Sequence, residues 1–237
     1  MKPGPGKCVH CLGKFQKRNW DHVFPKSWYP DTTPNNIEKW KIPTCKLCND
    51  AYGKLEDDLL QRLGLCIDPD AQASSGITRK ALRALDPAYA KGQKDKRLRK
   101  ARREKLLREV RSGEDVSTEN IYPGFEEKWG RPANEQRAIP LPAKSLRKLA
   151  EKITRGIFYI EDKKYIEHPY KIEFYALRDS DTEPVVELLE KHGKMYARGP
   201  GIVVQRVVAP EDGISSIFGI TVWDQFRMYV SVMKEDE

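Results

Sequence analysis

Apolar and polar positions near the N-terminus predict a strand, a long loop, a second strand and a helix. The segment "RNWDHVF" (18–24) is rich in aromatic and β-branched residues, and "IEKWKIP" (37–43) alternates apolar with polar residues, as a half-buried strand does. The turn-forming cluster "YPDTTPNN" lies between them. Leucines then recur at helical spacing in "CKLCNDAYGKLEDDLLQRLGL" (45–65), which predicts an amphipathic helix.

The pattern in the last hundred residues predicts a second folded region. Amphipathic helices are expected in "AKSLRKLAEKITRGIF" (143–158) and "EPVVELLEKHG" (183–193). Strands rich in β-branched and aromatic residues are expected within 164–177, 201–210 and 215–233. Helices beside such strands indicate a small α+β domain with a mainly antiparallel sheet.

The connection between these regions is polar and basic. Residues 68–76 suggest a linker and 77–85 a short helix. Residues 91–111 are good helix formers with only a thin apolar stripe, which predicts an exposed helix. The stripe consists of Leu98, Ala101, Leu106 and Val110. The loop-rich stretch 112–142 is expected to separate two modules.

We therefore predict an α+β protein with three parts. Residues 1–67 form a strand–strand–helix module, 68–142 a linker containing the basic helix, and 143–237 an accessory α+β domain whose role the sequence does not decide.

Charge narrows the class of partner. The chain has a net charge of +8, and residues 91–111 alone carry 11 Lys and Arg against three acidic residues. Such a dense basic segment favours a polyanion such as DNA. No apolar run is long enough for a membrane span, and the N-terminus does not resemble a signal peptide. A cytoplasmic protein that does not enter membranes is expected.

Four of the five cysteines form two Cys-x-x-Cys pairs, Cys8/Cys11 and Cys45/Cys48. Without a secretory context a disulfide framework is not expected, and two such pairs predict one structural Zn²⁺ held by four thiolates. Cys66 lies in an apolar run and is expected to be buried and outside this site. His10 lies inside the first pair, and because four cysteines already complete the zinc shell we expect it to be exposed.

The order of Cys-x-x-Cys, Asp21-His22 with Pro25, Asn36-Ile37 and Cys-x-x-Cys-Asn49 resembles the HNH or ββα-metal endonucleases. The directly joined Cys48-Asn49 is similar to the subgroup that includes endonuclease VII. The resemblance covers roughly residues 5–65. It implies a treble-clef-like ββα-metal fold with a structural zinc and metal-dependent hydrolysis of DNA phosphodiester bonds.

The resemblance also implies roles for four residues. His22 would be the general base, which suits an imidazole with an ordinary pKa near 6.5. Asp21 and Asn49 would hold a catalytic Mg²⁺ or Mn²⁺ through hard oxygen atoms. Asn36, or its neighbour Asn35, would hold the loop and orient the base. Because a strand sends neighbouring side chains to opposite faces, Asp21 and His22 should point apart.

Basic residues are expected to bind the DNA backbone outside the catalytic motif. They are Lys54 on the first helix and five residues of the basic segment: Arg97, Arg99, Lys100, Arg102 and Arg103. The substrate, duplex or branched, and the oligomeric state are not fixed by the sequence. The alternatives are a zinc-binding regulator that binds nucleic acid without cutting it, and a nuclease for branched DNA or structured RNA.

Overall fold

The computed structural model describes residues 2–122, 132–177 and 179–235, without the side chains of residues 118, 133 and 179. Part of the predicted loop-rich stretch, 123–131, lies outside the described residues. Short strands β1 (Gly6–Lys7) and β2 (Lys14–Phe15) pair with each other, as do β5 (Arg111–Ser112) and β6 (Arg137–Ala138). No helix within the described ranges is long and apolar enough to cross a membrane.

The N-terminal region has the predicted strand–loop–strand–helix order. Strand β3 (Asn19–His22) pairs antiparallel with β4 (Lys41–Thr44), so that His22 lies opposite Lys41 and Asp21 opposite Ile42. The second strand is shorter than predicted, because residues 37–40 have no regular structure. The loop between the strands contains one short 3₁₀ turn, Lys26–Trp28.

Helix α1 (Lys46–Leu63) starts directly after Cys45. The Cys45 sulfur accepts a hydrogen bond from the backbone N–H of Cys48, and it thereby caps a helix end whose first amides have no helical partner. Leu59, Leu60 and Leu63 are buried at helical spacing, as the leucine pattern predicted.

Two further helices follow. Helix α2 (Ile77–Leu85) buries one apolar face. Helix α3 (Gln93–Glu109) confirms that the basic segment is helical and exposed. The apolar stripe packs weakly: Leu106 is buried and Val110 half-buried, whereas Leu98 is 50% exposed. The arginines and lysines alternate too densely with the few apolar positions to leave a continuous apolar face.

The C-terminal region is α+β, as predicted. Its sheet is antiparallel throughout and has the strand order β7-β11-β10-β9-β8. The strands are β7 (Tyr170–Tyr175), β8 (Lys194–Ala197), β9 (Ile202–Val208), β10 (Ser216–Val222) and β11 (Phe226–Lys234). The predicted helices are α4 (Ala143–Asp162) and α5 (Asp179–His192).

The two folded regions share one hydrophobic core. Helix α4 contributes Leu149, Ile153 and Ile157 to the same cluster that contains residues of β4, α1 and the C-terminal sheet. Trp28 from the N-terminal loop packs against Trp223, whose Nε1 donates a 2.9 Å hydrogen bond to the Trp28 carbonyl. The domain boundaries stay a prediction, and the structure adds that these regions are buried against each other.

Helix α4 approaches the end of β3 closely at Gly156. A Cβ atom at this position would lie 2.7 Å from Cγ1 of the fully buried Val23, well inside van der Waals contact. Only glycine lets the helix backbone pack this near to the strand end.

We expect Gly156→Ala to lower the free energy of unfolding by about 1–3 kcal/mol, because the added methyl overpacks the contact. The matched control is Gly53→Ala on the exposed part of α1, where a Cβ atom meets nothing within 4 Å. That change should stabilise the chain by about 1 kcal/mol or less through helix propensity. Urea denaturation of both variants checks this, and equal effects of the two changes would contradict the close approach.

Candidate functional site

The four paired cysteines come together at the junction of the N-terminal hairpin and α1. The sulfur atoms of Cys8, Cys11, Cys45 and Cys48 all lie within 4.8 Å of one another, and the Sγ atoms of Cys11 and Cys45 are 3.9 Å apart. Tetrahedral zinc–thiolate bonds of about 2.3 Å place neighbouring sulfur atoms about 3.8 Å apart. The cluster therefore fits a metal ion such as zinc, as the spacing of the cysteines predicted.

Backbone amides support the cysteine sulfurs. The N–H of Cys45 donates to Cys8 Sγ at 3.2 Å, and the N–H of Cys48 donates to Cys45 Sγ at 3.4 Å. Burial alone would raise the pKa of Cys8, but hydrogen bonds from backbone amides outweigh it and lower the pKa. A lowered thiol pKa favours the thiolate at Cys8, which is the form that binds metal, whereas burial raises the pKa of Cys11 and of Cys48.

Asp21 and His22 lie on opposite faces of β3. Asp21 is only 7% exposed, whereas His22 is half-buried on the same face as Trp20, which is 44% exposed. The prediction that the two side chains point apart is therefore confirmed, because neighbouring residues of a strand face opposite sides.

The inward-facing Asp21 belongs to a buried ionic network that consists of Asp21, His10, Lys152 and Glu56. His10 Nε2 donates to Asp21 Oδ2 at 3.1 Å, and Lys152 Nζ donates to Asp21 Oδ1 at 3.0 Å. Lys152 also pairs with Glu56 of α1, and its side chain is 0% exposed. The network thus joins the first cysteine pair, β3, α1 and α4.

Charges within the network shift the affinity of its members for protons. Burial would raise the pKa of Asp21, but the His10 hydrogen bond and the Lys152 ammonium outweigh burial and lower it, so Asp21 is ionised near neutral pH. Burial raises the pKa of Glu56 to about 7, against the opposing effect of Lys152. Lys152 therefore lies between the Asp21 carboxylate, which is ionised near neutral pH, and the Glu56 carboxylate, which binds a proton more readily.

The expectation that His10 is exposed is wrong. Its side chain is 2% exposed, and its ring packs on Tyr52 of α1 with the ring centroids 4.4 Å apart. Burial lowers the pKa of His10 despite the neighbouring Asp21 carboxylate. Four cysteines complete the zinc shell, so the His10 imidazole is not expected to bind the metal. It is buried because it forms a hydrogen bond with Asp21 instead.

The surroundings of Asp21, one of the two predicted Mg²⁺ ligands, do not fit a hydrated ion of this kind. Mg²⁺ keeps several bound waters and needs oxygen ligands at about 2.1 Å. Asp21 is 7% exposed, and each of its oxygens already accepts a hydrogen bond from a buried donor, so a hydrated cation would have to displace these donors to reach the carboxylate. Asn49 is half-buried in the first turn of α1, and Asn35 and Asn36 are exposed in the loop before β4.

His22 lies in a positively charged environment. Burial and the charge of Lys41, its cross-strand neighbour, lower the pKa of His22, and Lys26 acts in the same direction. The imidazole is therefore mostly neutral at pH 7 and able to accept a proton. The nearby ammonium groups would attract an anion such as a phosphate.

The predicted phosphate-binding residues differ in their exposure and in the contacts that they already make within the chain. Lys54, Arg97, Arg102 and Arg103 are exposed. Arg99 donates to Asp95 at 3.1 Å and also to the Arg83 carbonyl, and Lys100 lies 3.8 Å from Glu104. Of the five predicted residues on α3, Arg97, Arg102 and Arg103 are therefore the ones that are exposed and make none of these contacts within the chain.

Sequence reasoning missed Lys152, Glu56 and Tyr52. The available signal was the position of Lys152 within the predicted amphipathic helix: it lies three residues after Leu149 and next to Ile153, on the face that is buried. A lysine on such a face is rarely buried without a partner, so it pointed to an internal acid.

Comparison with protein-family models, with curated proteins and with solved structures found no match to this chain. What the site does must therefore be inferred from its residues and geometry.

Protein purified without added metal should contain about one zinc per chain, because a structural four-cysteine site binds one ion. Cys45→Ser should lose that zinc and leave the N-terminal region sensitive to protease, since structural zinc contributes on the order of 10 kcal/mol in small modules. Elemental analysis and limited proteolysis measure both effects. Cys66→Ser, outside the cluster, is the control and should keep its zinc. Metal-free protein that stays folded would count against a structural zinc.

Proposed function

We propose that this chain is an endonuclease that hydrolyses phosphodiester bonds in DNA, with His22 as the general base. The observation that carries the proposal is the position of His22. Its imidazole sits at the end of β3 with a lowered pKa, close enough to Lys26 and Lys41 for their charges to act on it, in a hairpin whose second strand leads into the cysteine cluster suited to zinc.

These residues could perform part of the hydrolysis. A neutral His22 would accept a proton from a water molecule as the oxygen of that water attacks phosphorus. The bond from phosphorus to the 3′-oxygen of the sugar would then break, and that oxygen would leave with its electron pair and take up a proton from solvent. Lys26 and Lys41 would offset negative charge on the phosphate as it grows.

DNA is the partner that the charges favour. The exposed arginines of α3 lie outside the catalytic motif, so they would hold the phosphate backbone without reading sequence. The exposed indole of Trp20 on the face of His22 could in addition stack on an unpaired base. Branched DNA exposes such bases, so cleavage should be measured on branched DNA as well as on duplex DNA.

A second candidate is a zinc-binding protein that binds nucleic acid without cutting it. The specific observation in its favour is that the Asp21 carboxylate is buried and that both of its oxygens accept hydrogen bonds, from His10 and Lys152, which disfavours the divalent ion expected from the family resemblance. The Mg²⁺ or Mn²⁺ requirement is thus not part of the proposed mechanism. Cleavage of supercoiled plasmid, with and without these ions, discriminates between the candidates.

His22→Ala should reduce the cleavage rate by roughly a hundredfold or more, the scale of general-base catalysis. DNA affinity should hardly change, because a neutral imidazole contributes little to binding a polyanion. Single-turnover cleavage and a binding assay measure the two quantities separately. His168→Ala is the control, since that side chain is 88% exposed and belongs to the C-terminal region. A His22→Ala protein that cuts as fast as the wild type would exclude the assigned role.

The pH dependence gives a second test of the same assignment. A base must be deprotonated to act, and the pKa of His22 lies below the usual 6.5. The wild-type rate should therefore rise as pH increases through a value below 6.5 and stay level above it. A rate that still rises between pH 7 and pH 8 would point to a different base.

Neutralising Arg97, Arg102 and Arg103 together should weaken DNA binding and flatten its salt dependence. The slope of log affinity against log salt should change by about one unit for each arginine that meets a phosphate. Cleavage at saturating DNA should be unchanged, because His22 and its neighbours remain in place. Salt titrations of binding provide the measurement.

The matched control for α3 removes the same charge from another helix. Lys144, Arg147 and Lys148 are exposed on α4, and neutralising them changes the net charge equally. If both triple variants shift the salt slope equally, only net charge matters and α3 is not a DNA-binding surface.

A further inference from the structure

The cation nearest to Asp21 is supplied by the protein itself. Lys152 reaches Asp21 from α4, 131 positions later in the chain, and its ammonium lies 3.0 Å from Oδ1. The same ammonium pairs with Glu56 and lies 5.6 Å from the centroid of the Tyr52 ring. Two carboxylates and an aromatic face therefore surround one buried positive charge.

The Lys152 ammonium compensates the negative charge of the two carboxylates, as a divalent ion would. A buried carboxylate needs a compensating cation, and an ammonium with three donors satisfies two acids at once. A metal at Asp21 would have to displace Lys152, which is 0% exposed and would be left as an unpaired buried charge. It would also have to bring its waters into a site where Asp21 is 7% exposed.

We infer that Lys152 is the resident cation of the Asp21 carboxylate and that the folded chain takes no divalent ion there. Lys152 is then a positioning residue: it holds Asp21 in place, and with it the strand that carries His22. This inference concerns cation binding and does not depend on whether the chain cuts DNA.

The first test compares the zinc-loaded wild type with Asp21→Asn by titrating each full-length protein with Mn²⁺ and measuring the free ion by electron paramagnetic resonance. Mn²⁺ prefers oxygen ligands and reports on carboxylate sites without competing well for the cysteines. Wild type should show no Mn²⁺ site that Asp21→Asn removes. A stoichiometric site that disappears in Asp21→Asn would overturn the inference.

The second test removes the lysine. Lys152→Met keeps an unbranched side chain as far as the Cε position but removes the charged Nζ, and it frees the carboxylates of Asp21 and Glu56. It should gain a Mn²⁺ site roughly tenfold or more tighter than any Mn²⁺ binding by the wild type, and this site should vanish in Lys152→Met combined with Asp21→Asn. Lys148→Met, exposed one turn earlier on α4, is the control and should bind Mn²⁺ like the wild type. A folded Lys152→Met protein without the gain would show that Lys152 does not exclude the ion.

A third measurement covers the case in which Lys152→Met does not fold. A buried, hydrogen-bonded ammonium exchanges its protons slowly enough to give its own signal in nitrogen-detected NMR spectra of lysine side chains. That signal should be present in the wild type, absent in Lys152→Arg, and unchanged when Mg²⁺ is added. Loss of the signal on adding Mg²⁺ would mean that the metal displaces Lys152, and the inference would fail. DNA cleavage is not used in any of these tests, so their outcome is separate from that of the proposed function.

Discussion

The close approach of α4 to β3 is the contact on which the remaining structure depends. At one end of this contact, Gly156 has no side chain that would collide with Val23. One turn earlier, the ammonium of Lys152 donates a hydrogen bond to Asp21. Apolar packing and a buried ion pair thus act along the same short length of helix. Because the ion pair is almost fully buried, it is satisfied only when the helix lies at this distance.

The same contact divides β3 into two chemical environments. The inner face is dry and charge-compensated, since Asp21 is bonded both to His10 beside the cysteine cluster and to Lys152. The outer face keeps His22 half-buried among positive charges, which lowers its pKa and leaves it neutral. An acid and a base that are neighbours in sequence therefore have different surroundings, although the Asp21 charge still opposes the lowering of the His22 pKa. His22 lies on the face that the proposed contact with DNA would use.

Much of the site was predictable because its parts are local. The two Cys-x-x-Cys pairs predicted the cluster, and strand geometry predicted that Asp21 and His22 diverge. The burial of His10 was not predicted, since counting zinc ligands says nothing about what else an imidazole can bond to. The contact between Lys152 and Asp21 was not predicted either. Lys152 is 131 residues away from Asp21 and is not part of the motif.

The sequence by itself determined the elements that depend on neighbours in the chain: the helix after Cys45, the exposed basic helix, the antiparallel character of the C-terminal sheet, and the cysteine cluster. Periodicity and ligand spacing encode these directly. The tertiary structure alone decided that α4 packs on β3, that Lys152 rather than open solvent faces Asp21, and that both regions share one core. These outcomes depend on long-range burial, in which a charge is placed by the shape around it and not by the residues beside it in sequence.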